Sequence, residues 1–278
     1  MSELLSKTRE ICNIFDIKPS RSKGQNFLIE EKVYDDIIEA SNLNKDDVVL
    51  EVGPGLGFLT AKLAKKVKKV IAVELDDKLA DMLQMAINSQ DIDNVEIINQ
   101  DILQARLEQL DEGDYKIVAN LPYNITSIFL RTFLSKKNKP SKIVLMLQKE
   151  VVERIIAKAP KMSLLSVSVQ FYAQARMVRE VPATAFWPQP KVDSAVIDIS
   201  PHEEVAIEDE KLFFRLAKVG FSAKRKMLKN NLASGLKIDA KIIENALEKS
   251  NLSLSVRAEN LSLKNWETLF ASIKEFVV

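Results

Sequence analysis

The chain has 278 residues, with 40 Lys and Arg against 39 Asp and Glu, one Cys, one His and 46% hydrophobic residues. That length can bury a substantial core in one large domain or two smaller ones, and a net charge of +1 argues neither for nor against a polyanionic partner. One Cys and one His exclude a disulfide and a Cys/His zinc site within the chain, and leave only His202 for a histidine-dependent nucleophile system.

His202 stands in Ser-Pro-His-Glu-Glu, a polar stretch that reads as a linker, and Cys12 lies between Ile11 and Ile14, where a packed thiol is expected. The expected chemistry is that of carboxylates, amides, aromatics or a cofactor, without a metal. Residues 1–10 mix charged and apolar side chains and lack the apolar stretch of a signal peptide. No apolar run approaches the roughly 18 residues of a membrane span. A cytoplasmic protein without membrane contact is expected.

From Val48 to Val118 short β-branched runs alternate with helical patterns. Strands are predicted at 48–52, 70–74, 95–98, 116–119 and 143–147, with helices at 59–66 and 78–88. Such alternation implies βαβ units and a parallel sheet covered on both faces. Leu164 to Tyr172 and Val192 to Ile199 read as two later strands, separated by Pro182, Pro188 and Pro190, that form an antiparallel hairpin at the sheet edge. After Pro201 an acidic connector, 203–210, leads into helical patterns at 212–220, 224–233, 240–249 and 263–276. The prediction is an α/β domain over 1–203 and a small all-α domain over 204–278.

Leu50-Glu51-Val52-Gly53-Pro54-Gly55-Leu56-Gly57-Phe58 follows one predicted strand and opens a predicted helix, the context of a nucleotide loop. Glycines let the backbone turn tightly and approach a ligand. Phe58 occupies the place where a dinucleotide fingerprint needs its third small residue, which disfavours a pyrophosphate. Glu74 closes the next strand and is placed to accept from ribose hydroxyls. Asp101 closes the third and is placed to accept from an adenine amine. An adenosine ligand without a pyrophosphate points to S-adenosylmethionine.

Asn120-Leu121-Pro122-Tyr123 follows the fourth strand directly. Asn120 offers a carbonyl to an exocyclic amine, and Pro122 removes a competing N–H. Tyr123 offers a face on which an unstacked base can lie. The chain resembles the ribosomal RNA adenine N6,N6-dimethylase family at these two motifs. It does so also at Lys23-Gly24-Gln25-Asn26-Phe27-Leu28, Met146 to Val152, Phe186 to Ser194, Phe221 to Asn230 and Arg257 to Ser262. Within the family it is most similar to the bacterial small-subunit (16S) dimethyladenosine transferases, rather than to the erythromycin-resistance methylases of the large subunit.

The resemblance implies a Rossmann-like class I methyltransferase sheet, mostly parallel, and dimethylation of two adjacent adenines in a 16S rRNA hairpin loop near the 3′ end. The substrate implied is an immature small subunit and the enzyme a monomer. Carried over by position, Gln25, Asn26, Leu28, Gly53, Gly55, Glu74, Leu75, Asp101, Ile102 and Asn120 would surround the cofactor. Asn120, Leu121, Pro122, Tyr123 and Phe186 would act on the target base, with Tyr123 and Phe186 as a sandwich. The chain departs from the family pattern at Lys23 and at Lys161-Met162-Ser163-Leu164.

Lys62, Lys65, Lys66, Lys68 and Lys69 read as a solvated face. Lys218, Lys224, Arg225, Lys226 and Lys229 are expected to face RNA. Three other readings stay open: the same chemistry on large-subunit RNA, a ribosome-assembly binding module, and a dinucleotide oxidoreductase, against which Phe58 argues.

Overall fold

The structure is a computed structural model that describes residues 2–20, 25–110, 113–122, 125–205 and 207–277. In its first part the elements are α1 (Glu3–Ile14), β1 (Phe27–Leu28), α2 (Glu31–Ala40), β2 (Val48–Val52), α3 (Phe58–Ala64), β3 (Lys69–Glu74), α4 (Asp77–Ser89), β4 (Val95–Asn99), β5 (Tyr115–Asn120), α5 (Thr126–Leu134) and β6 (Lys142–Gln148). There follow α6 (Lys149–Ile155), α7 (Leu164–Tyr172), β7 (Ala173–Val181), β8 (Phe186–Trp187), β9 (Ser194–Pro201), α8 (Glu210–Gly220), α9 (Leu228–Leu236), α10 (Ala240–Lys249) and α11 (Leu263–Ile273).

Among the described residues a seven-stranded sheet runs in the order β4-β3-β2-β5-β6-β9-β7. β2 pairs in parallel with β3 and β5, β3 with β4, and β5 with β6, while β9 runs antiparallel to β6 with Leu145 opposite Ile197. Val49, Leu50, Ile71, Ile117, Val118, Val144 and Leu145 are fully buried. These β-branched and Leu-rich runs do not alternate with polar residues because both faces of the central strands are covered. Chain order reverses between β2 and β5, so loops on the two sides of that point part and leave a crevice at the strand ends.

Helix starts follow local capping chemistry. Ser2 accepts from Leu5 N–H at α1, Asp76 from Leu79 N–H at α4 and Asp239 from Lys241 N–H at α10. Ser262 and Asn265 form a reciprocal capping box at α11.

Three expectations are corrected. Leu164–Tyr172 is a helix, because Ser163 accepts from Ser166 N–H while the Ser166 hydroxyl accepts from Ser163 N–H, a reciprocal cap that outweighs the β-branched composition after it. The edge of the sheet is formed by β7, which begins where that helix ends. The helix expected from Lys224 starts at Leu228, so Lys224, Arg225 and Lys226 occupy the turn before it.

The chain divides into two compact units, one of Met1–Val152 with Ala175–Pro201, the other of Glu153–Gln174 with His202–Val278. This differs from a single boundary at 203/204, since α7 belongs with the later helices. The cause is aromatic: Phe171 stacks on Phe213 at 4.7 Å, and Phe213 meets Phe270 edge-on at 5.7 Å. Trp266 completes this helical core, fully buried against Gly220, where a Cβ would stand 2.4 Å from the indole ring. Among the described residues no helix is long and apolar enough to cross a membrane.

Candidate active site

A cavity of ≈ 370 Å³ opens in the sheet unit at the carboxyl ends of β2, β3 and β5 and just beyond the end of β4. That volume suits a small-molecule ligand, and its position is the crevice that the reversal of strand order creates. Gly53 and Gly55 have φ of +65° and +57°, the left-handed region in which a Cβ is strained. The loop is tied at its start by Gly53 N–H donating to Val73 C=O at 2.9 Å.

Glu74 does more than its position in the sequence suggests. One carboxylate oxygen accepts from Gly55 N–H at 3.1 Å and the other from Asp76 N–H at 2.9 Å. It therefore clamps the glycine loop to the start of α4. Burial pushes its pKa up, and the backbone N–H groups of Asp76, Gly55 and Leu75 work against that rise. A carboxylate has about four lone-pair sites, so two such bonds leave room for a ligand hydroxyl.

Asp101 accepts from Leu103 N–H at 2.9 Å and from the Gln104 side chain at 3.4 Å, which orients it beside Ile102 at the cavity wall. Gln25 accepts from Ser20 N–H at 2.9 Å and donates to Asp76 at 3.3 Å, bracing Asn26 and Leu28. Leu75 is 68% exposed at the rim, an apolar side chain left open beside the Glu74 and Asp101 carboxylates.

Asn120, Leu121 and Pro122 line the same cavity, and Leu121 N–H donates to Met146 C=O at 3.3 Å. The geometry thus brings together all ten expected cofactor residues and three of the five expected base-handling ones. Tyr123 lies outside the described residues, as does Lys23. Phe186 is 3% exposed on β8, opposite Leu28 in the β1–β8 pair, and is not among the described residues that line the cavity.

In the helical unit Lys218, Lys224, Arg225 and Lys226 are exposed, and the turn that carries three of them is shaped by Asn231, whose side chain donates to Gly220 and Ala223 carbonyls at 2.7 and 3.1 Å. Lys229 instead pairs with Glu244 at 2.7 Å.

Among the cavity residues that escaped the sequence reading, two stand out. Glu51 is fully buried on β2, and its Oε2 has no hydrogen-bond partner among the described residues. Burial, with the charge of Glu74 adding to it, pushes its pKa up to about 8, so the carboxyl is largely protonated at neutral pH. A lone acid inside a five-residue apolar strand was the available signal. Tyr34 on α2 also lines the cavity, and its helical spacing with Val33 and Ile37 reads only as core.

The donor set fits S-adenosylmethionine: a positive-φ glycine cradle with no cation among the described lining residues, paired carboxylates, and a buried carboxyl oxygen in need of a partner. The family model of the ribosomal RNA adenine dimethylases matches residues 17–275. The chain belongs to the ribosomal RNA adenine dimethylase family. A relative from Dehalococcoides mccartyi, named ribosomal RNA small subunit methyltransferase A, is 43% identical over 96% of this chain and 92% of its own. Among solved structures, a dimethyladenosine transferase from Plasmodium falciparum is similar with a TM-score of 0.80 and 26% identity, over 90% of this chain and 98% of its own. A 23S rRNA methyltransferase, ErmE, is similar with a TM-score of 0.73 and 25% identity, over 90% of this chain and all of its own. As a member of this family the protein is an S-adenosylmethionine-dependent rRNA adenine dimethyltransferase, and no group of residues suited to a metal is present among the described residues.

Proposed function

We propose that the protein dimethylates N6 of two adjacent adenines in the hairpin loop near the 3′ end of 16S rRNA, within an immature small subunit, as a cytoplasmic monomer. The observation that carries this reading is the convergence of Asn120, Leu121 and Pro122 on the cavity that also holds Glu74 and Asp101. Amine-binding and adenosine-binding groups share one space. The small-subunit substrate is supported by the 43% identity to the Dehalococcoides mccartyi relative, against 25% to the large-subunit enzyme.

When bound, S-adenosylmethionine supplies an electrophilic methyl group. The protein's part is positioning. Glu74 accepts from the ribose hydroxyls while holding Gly55, and Asp101 accepts from the adenine amine of the cofactor. The Asn120 side chain and the Leu121 carbonyl accept the N6–H bonds of the target adenine. Those bonds draw the nitrogen lone pair out of conjugation with the ring, which makes a poor nucleophile competent. Tyr123 gives the base a stacking face. Stacking on Phe186 as well requires its buried ring to be uncovered when RNA binds. Lys218, Lys224, Arg225 and Lys226 meet RNA phosphates.

The test is labelled S-adenosylmethionine with undermethylated small subunits, large subunits and naked RNA, followed by mapping of the modified base. Dimethyladenine at two adjacent small-subunit positions is expected. Label in the large subunit alone overturns the substrate assignment.

A further inference from the structure

One residue touches both walls of the cavity and belongs to neither motif that defines it. Tyr34, in the first turn of α2, is 7% exposed and donates its hydroxyl to the Leu28 carbonyl at 3.1 Å. Its ring stands edge-on to Phe58, the first residue of α3 after the glycine loop, with centroids 6.4 Å apart and planes at 65°. Leu28, Tyr34 and Phe58 all line the cavity.

The Leu28 side chain is buried in the core, but the backbone of this wall has few hydrogen bonds to fix it. β1 has two residues, and its pairing to β8 spans only Phe27 with Trp187 and Leu28 with Phe186. The next amide, Ile29 N–H, donates to Ala185 C=O at 2.8 Å. A two-residue ladder contributes few bonds, so a side-chain hydrogen bond to its carbonyl is a large share of the polar ties that set its position. The α3 side is firm by contrast, since α3 packs on the sheet and its loop is clamped by Glu74.

We infer that Tyr34 is a positioning residue: its hydroxyl fixes the Leu28 wall at a set distance from the glycine-loop helix and so sets the affinity for the methyl donor. The ring supplies the contact with Phe58 and the hydroxyl the tie to Leu28. Without the hydroxyl the wall is held less firmly before the ligand binds, and the remaining ordering is subtracted from affinity. This rests on the reading of the cavity as the S-adenosylmethionine site.

The experiment compares wild type with Tyr34→Phe, which keeps the ring and its packing on Phe58 and removes one oxygen. S-adenosylhomocysteine binding is measured by calorimetry, and methyl transfer to undermethylated small subunits is measured against S-adenosylmethionine concentration. The KM for S-adenosylmethionine and the Kd for S-adenosylhomocysteine are expected to rise about three- to ten-fold, the range of one net hydrogen bond. The kcat at saturating donor should stay within about two-fold, a split that general loss of folded protein does not produce. Tyr34→Leu, which removes hydroxyl and ring, should weaken binding at least as much as Tyr34→Phe. Unchanged KM and Kd in Tyr34→Phe, with wild type binding normally, overturn this proposal alone. So does a fall in kcat with KM unchanged, which would place Tyr34 in the chemistry. Wild-type protein that fails to bind S-adenosylhomocysteine overturns the cofactor reading and this proposal with it.

Discussion

The cavity of the sheet unit and the basic turn of the helical unit handle polar groups in opposite ways. In the cavity three of the polar side chains already bond within the chain: Glu74 to Gly55 and Asp76, Asp101 to Leu103 and Gln104, Gln25 to Ser20 and Asp76. In the turn, Lys224, Arg225 and Lys226 are exposed, and among the described residues no ion pair engages them. A small ligand gains from groups fixed in advance, because little ordering remains to be done when it binds. A polyanion gains from unpaired cations that release counterions from its backbone. The cavity is therefore the place where small geometric changes matter, and the turn the place where charge matters.

The sharpest way to break the comparison is Asn120→Ala. It removes the proposed acceptor without altering any surface charge. Methyl transfer should fall by about 10²- to 10³-fold, the usual cost of deleting one preorganised hydrogen-bonding group at a reacting centre. RNA binding by filter retention should be unchanged. Near-normal transfer by this variant would remove Asn120 from the reaction.

Gly55→Ala tests geometry in the same cavity. At φ +57° a Cβ costs about 1–2 kcal/mol of backbone strain, while its nearest contact, the Phe27 ring at 3.5 Å, is ordinary. If the strain is relieved by shifting Gly55 N–H away from Glu74, S-adenosylhomocysteine affinity drops about ten-fold. Calorimetry on Gly55→Ala and on Gly113→Ala, where a Cβ meets nothing within 4 Å, separates loss of the clamp from strain alone.

Replacing Lys224, Arg225 and Lys226 together by Ala should do the reverse. Each lost phosphate contact lowers the slope of log affinity against log salt by about 0.7–0.9, so with three lost, RNA binding becomes flatter with salt by about 2–3. Calorimetric affinity for S-adenosylhomocysteine should not move. Lys229→Ala should have a smaller effect on the slope than any of the three, because its ammonium already sits on Glu244. A steeper loss from Lys229 would mean that RNA displaces that pair.

These two regions also differ in how far the sequence disclosed them. The glycine loop, Glu74, Asp101 and Asn120 were legible because each stands directly at the end of a strand, and strand ends gather at the switch point of a parallel sheet. The clamp that Glu74 makes was not, since nothing local says that an acid expected to meet a ribose also holds the loop beside it. Tyr34 was hidden by its helical spacing, which is that of any core residue. Its partner is a carbonyl outside the helix, and its ring partner lies on another helix. Leu164–Tyr172 misled for a different reason: β-branched composition spoke for a strand while the Ser163–Ser166 cap, a two-residue device, decided for a helix. The basic residues were legible as charges, but their partition into an unpaired turn and a paired Lys229 needed Glu244, 15 residues on.

Glu51 supplies the subtlest test, because its surroundings keep its carboxyl largely uncharged near neutrality. Its pKa is raised from 4.5 to about 8 on folding, chiefly by burial. A carboxyl held protonated in the folded state binds a proton that the unfolded chain gives up above about pH 4.5. Its contribution to stability is thus fully present below that pH and declines as pH rises toward about 8, after which it is level. Glu51→Gln keeps the shape and cannot ionise, so its stability should lack this decline. Melting temperatures of the two proteins, measured without ligand from about pH 5 to about pH 9, should therefore diverge in favour of the variant as pH rises, by a few degrees. Parallel curves would mean that Glu51 ionises in the folded protein much as it does in the unfolded one. In that case the cavity floor carries a full negative charge at neutral pH, and the contrast between a cavity whose polar groups are largely uncharged or bonded and a turn with open charges would no longer hold at Glu51.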